Sequence, residues 1–217
     1  MSAQTPETYA TARDVNPSAG DHVVTADPTE RGAGERATRR SWRRFPYYAA
    51  RYDGRGRRFG VSDSLWLVTL CDLLPGAARE QVRWLGSVLA ARGMPRWMLE
   101  VHIDYLHDEL ARALPAQAAR YAVLAACARD LREQREAHVA PDVFDAIAAA
   151  FDEKTAALPR RVRAFGGLLV AAVADERAGV GNAVESLERW ATAPECFPEE
   201  WIRAVRETIA EARARAR

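Results

Sequence analysis

The chain has 217 residues, of which 48% are hydrophobic and 28% are charged, and its formal net charge at pH 7 is +1. This length and apolar fraction predict one globular domain with an ample core. Three cysteines, an odd number, argue against a disulfide framework. The longest apolar run, residues 165–174, is too short to cross a membrane, and the first residues lack the apolar core of a signal peptide. These features favour a soluble, cytoplasmic protein.

The first 38 residues are small, polar and charged, and they show no sustained apolar periodicity. A segment of this composition cannot bury enough apolar surface to offset the entropy lost on folding. We therefore predict a disordered leader over residues 1–40 and a single all-helical domain over residues 41–217.

From about residue 43 onward the sequence predicts one helix after another. Prolines precede most of the amphipathic runs, and proline is favoured at the first position of a helix. No run alternates with period two over a useful length, so strands are not expected. The predicted helices cover residues 43–52, 62–73, 75–92, 95–113, 116–138, 141–157, 159–178, 182–192 and 198–214.

The expected fold is an all-α, compact bundle of about eight or nine helices, globin-like in size, behind the disordered leader. Loops between the predicted helices are short, so sequential helices should pack nearly antiparallel. The pair Gly166-Gly167 lies inside one predicted helix. Two glycines leave a smooth helix surface there, which predicts a close helix crossing.

The segment that bears most on function is RRSWRRFPYYAARYDGRGRRFG, residues 39–60, which holds eight arginines and one aspartate. Phe45, Tyr48 and Tyr52 fall on one helical face, which predicts that these rings pack inward. The arginines on either side then form two outward clusters about 20 Å apart along one helix, near enough to form one patch. With Trp42, these clusters are the predicted site for a protein or anionic partner: Arg39, Arg40, Arg43, Arg44, Arg55, Arg57 and Arg58. Nucleic acid is less favoured, because the chain is near neutral and has no recognition-helix motif.

A second hypothesis concerns His102, on the predicted helix 95–113. His102 lies at the edge of an apolar stripe, between Met98 and Leu106. One histidine that faces an apolar pocket is enough to ligate haem. His102, with Met98 and Leu106 beside it, is therefore the predicted cofactor-binding site of the alternative function, a globin-like sensor for haem or another tetrapyrrole.

Asp104 and His107 have the spacing of half a di-iron site, but such a site needs a second motif of this kind, so a surface pair is the favoured interpretation. The chain lacks a phosphate-binding loop, a zinc-protease motif and a nucleophile elbow. No catalytic or metal-binding residue is assigned, and a helical enzyme is the least favoured reading. The leading hypothesis is a non-enzymatic regulatory or interaction module that binds a protein or anionic partner.

Overall fold

The structure is a computed structural model and describes residues 9–217. Over this range the chain forms ten α-helices and one two-stranded sheet, which confirms the predicted all-α fold class. Contacts divide the chain into two compact units, whereas the sequence predicted one domain over residues 41–217. The first unit comprises the residues up to Arg44, Tyr48–Gln81 and His102–Cys127, and the second comprises Phe45–Tyr47, Val82–Val101 and Ala128–Arg217.

The first unit begins with a short antiparallel strand pair. Strand β1 (Tyr9–Thr11) pairs with β2 (Val23–Thr25), and the four-residue helix α1 (Ala12–Val15) lies between them in the chain. Ala12 and Val24 are fully buried and cluster with Leu65. Part of the predicted leader, from residue 9 onward, thus contains regular secondary structure, and residues 1–8 lie outside the described part of the chain.

Helix α2 (Pro28–Arg44) is the element that the sequence analysis missed. Its buried face consists of small and hydroxyl side chains in place of large apolar ones: Ala33, Gly34, Ala37, Thr38 and Ser41. Hydrophobic periodicity depends on large apolar side chains, so it does not predict a helix that packs through small residues.

Helix α3 (Tyr47–Thr69) packs antiparallel to α2 through glycines. A methyl group added to Gly34 would lie 3.1 Å from Leu65 Cδ2, and one added to Gly60 would lie 3.1 Å from Thr38 Cγ2. Near the other end of α2, a methyl group on Gly56 would lie 3.6 Å from Trp42. Because residues later in α2 face residues earlier in α3, the two helices run in opposite directions.

The path of the chain between α2 and α3 corrects two predicted helices. The chain breaks at Phe45-Pro46, inside the predicted helix 43–52, and α3 then extends well before the predicted start at residue 62. Within α3, Asp53 leaves the helical conformation at φ 47° and ψ −158°, so the helix is kinked there and resumes at Gly54.

Except at the start of α8, the later helices agree with their predicted positions to within three residues. They are α4 (Pro75–Ala90), α5 (Arg96–Ala113), α6 (Ala118–His138), α7 (Pro141–Lys154), α8 (Gly166–Arg177), α9 (Ala183–Ala191) and α10 (Glu199–Arg215). Residues 159–165, predicted as helix, are not helical. Short 3-10 helices occur at Leu70–Asp72 and Pro115–Gln117. None of the helices in the described range is both long and apolar enough to cross a membrane.

In the second unit α8 is the central element, with every residue from Gly166 to Asp175 buried among α7, α9 and α10. A methyl group on Gly166 would lie 2.4 Å from the carbonyl oxygen of Ala148, which confirms the predicted close helix crossing. Gly167 makes a similar close approach, since its methyl group would lie 2.7 Å from the Trp97 ring. Only glycine lets the backbones of α7 and α8 come this close.

Candidate anion-binding site

A surface pocket of about 370 Å³ is formed by α2 and the part of α3 that follows the kink. Its lining residues are Glu35, Arg39, Gly54, Arg57, Arg58 and Val61. The sequence predicted that Arg39 and the pair Arg57-Arg58 belong to two clusters at the ends of one helix, near enough to form one patch. In the structure the two clusters lie on different helices, and the antiparallel packing of α2 on α3 places members of both around one pocket.

The three pocket arginines have no carboxylate partner among residues 9–217. Arg39, Arg57 and Arg58 are all exposed, and their guanidinium groups make no hydrogen bond or ion pair with any described residue. Elsewhere in the first unit, Arg120 by contrast donates to Asp72 at 2.7 Å and also pairs with Glu30. Packing therefore leaves three guanidinium groups available for an external anion.

Glu35 is the one acidic residue of the pocket lining. Its carboxylate lies 3.6 Å from Arg31 Nε, one turn earlier on α2, and about half of each side chain is exposed. A pair this exposed is weak. With three guanidinium groups and one carboxylate, the pocket lining has a formal charge of +2.

The remaining predicted partner-binding arginines fall into two groups. Arg43, Arg44 and Arg55 are exposed, as predicted, and Arg55 lies over the ring of Phe59 at 5.8 Å. Arg40 is different, because its guanidinium donates to Glu109 at 3.1 Å and to Asp108 at 3.2 Å. It also covers the Tyr105 ring at 4.1 Å. Arg40 therefore belongs to the contact between α2 and α5 rather than to the open arginine surface.

Glu109 is the centre of that contact. It is buried and accepts hydrogen bonds from Arg36 at 2.8 Å and from Arg112 at 2.9 Å, in addition to Arg40. Burial opposes ionisation of the carboxyl group, but the three arginines outweigh it and hold the pKa of Glu109 below its ordinary value. Arg36 and Arg40 of α2 therefore stabilise the contact with α5, whereas the side chain of Arg39 is exposed.

The aromatic residues between the arginines are also divided differently from the prediction. Phe45 and Tyr47 are fully buried, whereas Tyr48 and Tyr52 are partly buried, so of the three rings predicted to face inward only Phe45 is fully buried. Trp42 stacks on Tyr48, with ring centroids 5.5 Å apart and an angle of 10° between the planes. The Trp42 ring therefore packs largely against residues of the first unit, and only its exposed part could contact a partner.

His102, the predicted haem ligand, lies in a buried polar network that joins α2, α3 and α5. Its Nδ1 lies 2.8 Å from Ser41 Oγ and its Nε2 lies 2.9 Å from Ser64 Oγ. Ser64 donates its own proton to the carbonyl oxygen of Gly60 at 2.6 Å, so Nε2–H donates to Ser64 and Ser41 donates to Nδ1. Burial lowers the pKa of His102 to about 4.

This network does not favour the haem hypothesis. An axial ligand needs a nitrogen lone pair that faces the iron, and the only lone pair of this imidazole, on Nδ1, accepts the proton of Ser41. Met98 and Leu106, the predicted neighbours of the cofactor, are core side chains, 1% and 0% exposed. His102 is a structural histidine that satisfies the hydroxyl groups of α2 and α3.

Sequence reasoning missed three pocket residues, namely Glu35, Gly54 and Val61, because it did not pair α2 with α3. One available signal was the repeat of small residues at Gly56, Gly60 and Ser64, which are four apart and so share one helix face.

Among the described residues, no three His, Cys, Asp or Glu side chains are grouped so that they could hold a metal ion. No protein-family model, curated protein or solved structure matches this chain.

Proposed function

We propose that this protein is a non-enzymatic interaction module that binds an acidic segment of a protein partner through the arginine surface of α2 and α3. That surface is defined by Arg39, Arg43, Arg55, Arg57 and Arg58. The observation that carries the proposal is that Arg39, Arg57 and Arg58 line one pocket and have no carboxylate partner in the described part of the chain. Like charges held together repel and destabilise the folded state, so an anionic partner would relieve a cost that the free protein bears.

The chemistry of the side chains supports an anionic partner. Guanidinium groups bind carboxylates through two parallel hydrogen bonds and lose little water of hydration in doing so. Arginine is also enriched among the residues that dominate protein–protein binding energies. Because α2 and α3 are fixed by glycine packing, the arginines project from a rigid base and lose less entropy on binding.

The extent of the charged surface favours a short acidic segment over a nucleic acid. Tight binding to duplex DNA requires contacts with many phosphates along an extended basic face. Here Glu35 lies within the pocket and the exposed Asp53 adjoins it at the kink of α3. The formal charge of the whole chain is only +1, so the positive surface is local.

The proposal is tested by fluorescence anisotropy with a labelled acidic peptide, EEESEEE, and with a single-stranded oligonucleotide of similar length. We expect the peptide to bind, with an affinity that falls as salt is raised. Replacing Arg39, Arg57 and Arg58 together by glutamine should abolish binding. A matched control replaces three exposed arginines of the second unit, Arg160, Arg163 and Arg203, and should bind normally although its net charge changes equally.

Circular dichroism checks that both triple variants keep the helical content of the wild type. Two outcomes would contradict the proposal. In one, the pocket variant binds the peptide as tightly as the wild type does. In the other, the oligonucleotide binds and the peptide does not, which would identify the surface as a nucleic-acid site.

A further inference from the structure

We infer that the arginine pocket receives a phosphomonoester group, carried by a phosphorylated side chain of the acidic segment. This inference rests on the proposed function, because it names the group that the partner would insert between Arg39, Arg57 and Arg58. A free phosphorylated metabolite and a phospholipid headgroup carry the same group, and the experiment below separates these sources.

The charge of the pocket matches a phosphomonoester better than a carboxylate. A phosphorylated side chain carries about −1.5 to −2 charges at pH 7. The pocket lining holds three arginines and one glutamate, which is a formal charge of +2. A single carboxylate would neutralise only one of these charges, whereas a phosphomonoester dianion would neutralise both.

The number of guanidinium groups points to the same ligand. A carboxylate has two oxygens, and one arginine fork can satisfy both of them. A phosphomonoester presents three terminal oxygens in different directions, so it can accept hydrogen bonds from several arginines at once. Arg39 on α2 and the pair Arg57-Arg58 on α3 line the same pocket, so two helices supply its donors.

The size of the pocket is sufficient for a phosphomonoester group. A volume of about 370 Å³ is near the lower limit of small-molecule sites, which span about 300 to 1,000 Å³. The pocket is open at Gly54, where an added methyl group would have no neighbour within 4 Å. Beyond the pocket, Arg43 and Arg55 are exposed on the same two helices, where they could contact the acidic residues on either side of the phosphorylated one.

The test compares two blocked peptides of equal charge, EEESEEE with its serine phosphorylated and an eight-glutamate peptide. Since net charge is matched, a preference measures recognition of the phosphate itself. We expect the phosphopeptide to bind about tenfold more tightly, as is usual for one or two additional charge-assisted hydrogen bonds. Free O-phosphoserine and vesicles that contain phosphatidic acid are tested alongside.

A variant that keeps the positive charge tests whether Arg57 and Arg58 cause the preference for the phosphopeptide. Lysine keeps the positive charge of arginine but lacks the planar fork, so replacing Arg57 and Arg58 by lysine should reduce the preference for the phosphopeptide to about one. The matched control, Arg43→Lys, changes an exposed arginine outside the pocket and should keep the preference.

Each unfavourable outcome has a distinct meaning. Equal affinity for the two peptides would overturn this inference and leave the proposed function standing, whereas failure of both peptides to bind would overturn both. Tight binding to the vesicles alone would assign the pocket to a membrane lipid. Binding of free O-phosphoserine as tight as that of the phosphopeptide would overturn the protein-borne source in favour of a small metabolite.

Discussion

Replacement of His102 by glutamine tests whether this residue is a buried structural histidine. His102 is 7% exposed and uses both ring nitrogens inside the first unit, with Ser41 and with Ser64. A protonated imidazole has two donors and no acceptor, so protonation would break the hydrogen bond that Ser41 donates to Nδ1. Glutamine retains a donor and an acceptor but cannot be protonated, so it removes the pH dependence of this site.

The expected magnitude follows from the pKa of His102. Burial lowers this pKa to about 4 in the folded protein, while an unfolded histidine has a pKa of about 6.5. Between these values the unfolded chain binds more protons, so the stability contribution is fully present above about pH 6.5 and is lost as the pH falls toward 4. Linkage gives a loss of about 2 kcal/mol in the free energy of unfolding between pH 7 and pH 5.

The assay is urea denaturation followed by circular dichroism at pH 7 and pH 5. At pH 7 the His102→Gln variant should be less stable than the wild type by about 2 kcal/mol, because the hydrogen-bond network is only partly kept. At pH 5 this difference should nearly vanish. His22→Gln, which alters an exposed histidine, is the control and should keep the wild-type pH dependence. If the His102 variant loses as much stability as the wild type between the two pH values, the reasoning about His102 is wrong.

Three further substitutions test the packing and the charges. Gly166→Ala should destabilise the protein by about 3 kcal/mol, because the added methyl group would lie 2.4 Å from the carbonyl oxygen of Ala148. The measurement is the thermal unfolding midpoint, and a midpoint higher than that of the wild type would contradict the close helix crossing. Gly76→Ala, in the exposed first turn of α4 with open space around it, should instead stabilise by about 0.5 kcal/mol in the same assay. Burial raises the pKa of Asp63 to about 7, so its stability contribution is present below about pH 4 and is lost as the pH rises through 7. Asp63→Asn should therefore be more stable than the wild type at pH 8, by about 2 kcal/mol in urea denaturation, and a less stable variant at that pH would refute the assignment.

The helices from α4 to α10 could be predicted from the sequence because their signals are local. Pro141 starts α7 with a backbone φ that already suits a helix. Gly93 has φ 83° just after α4 ends, a conformation that glycine adopts without strain. Large apolar side chains at helical spacing define the buried face of each run. Such features depend on residues a few positions apart, so the sequence alone places these elements.

Tertiary structure decided the existence of α2 and the make-up of the candidate site. Ala33 and Gly34 have no strong apolar signal, and their burial depends on Leu65 and its neighbours, which fit against them from another helix. The role of each arginine likewise depends on distant residues. Arg40 is paired because Glu109 lies opposite it, 69 positions along the chain, whereas Arg39, the adjacent residue, meets no carboxylate and lines the pocket. Sequence spacing predicted an arginine surface, but only the packing of α2 against α3 and α5 determined which arginines remain available to bind.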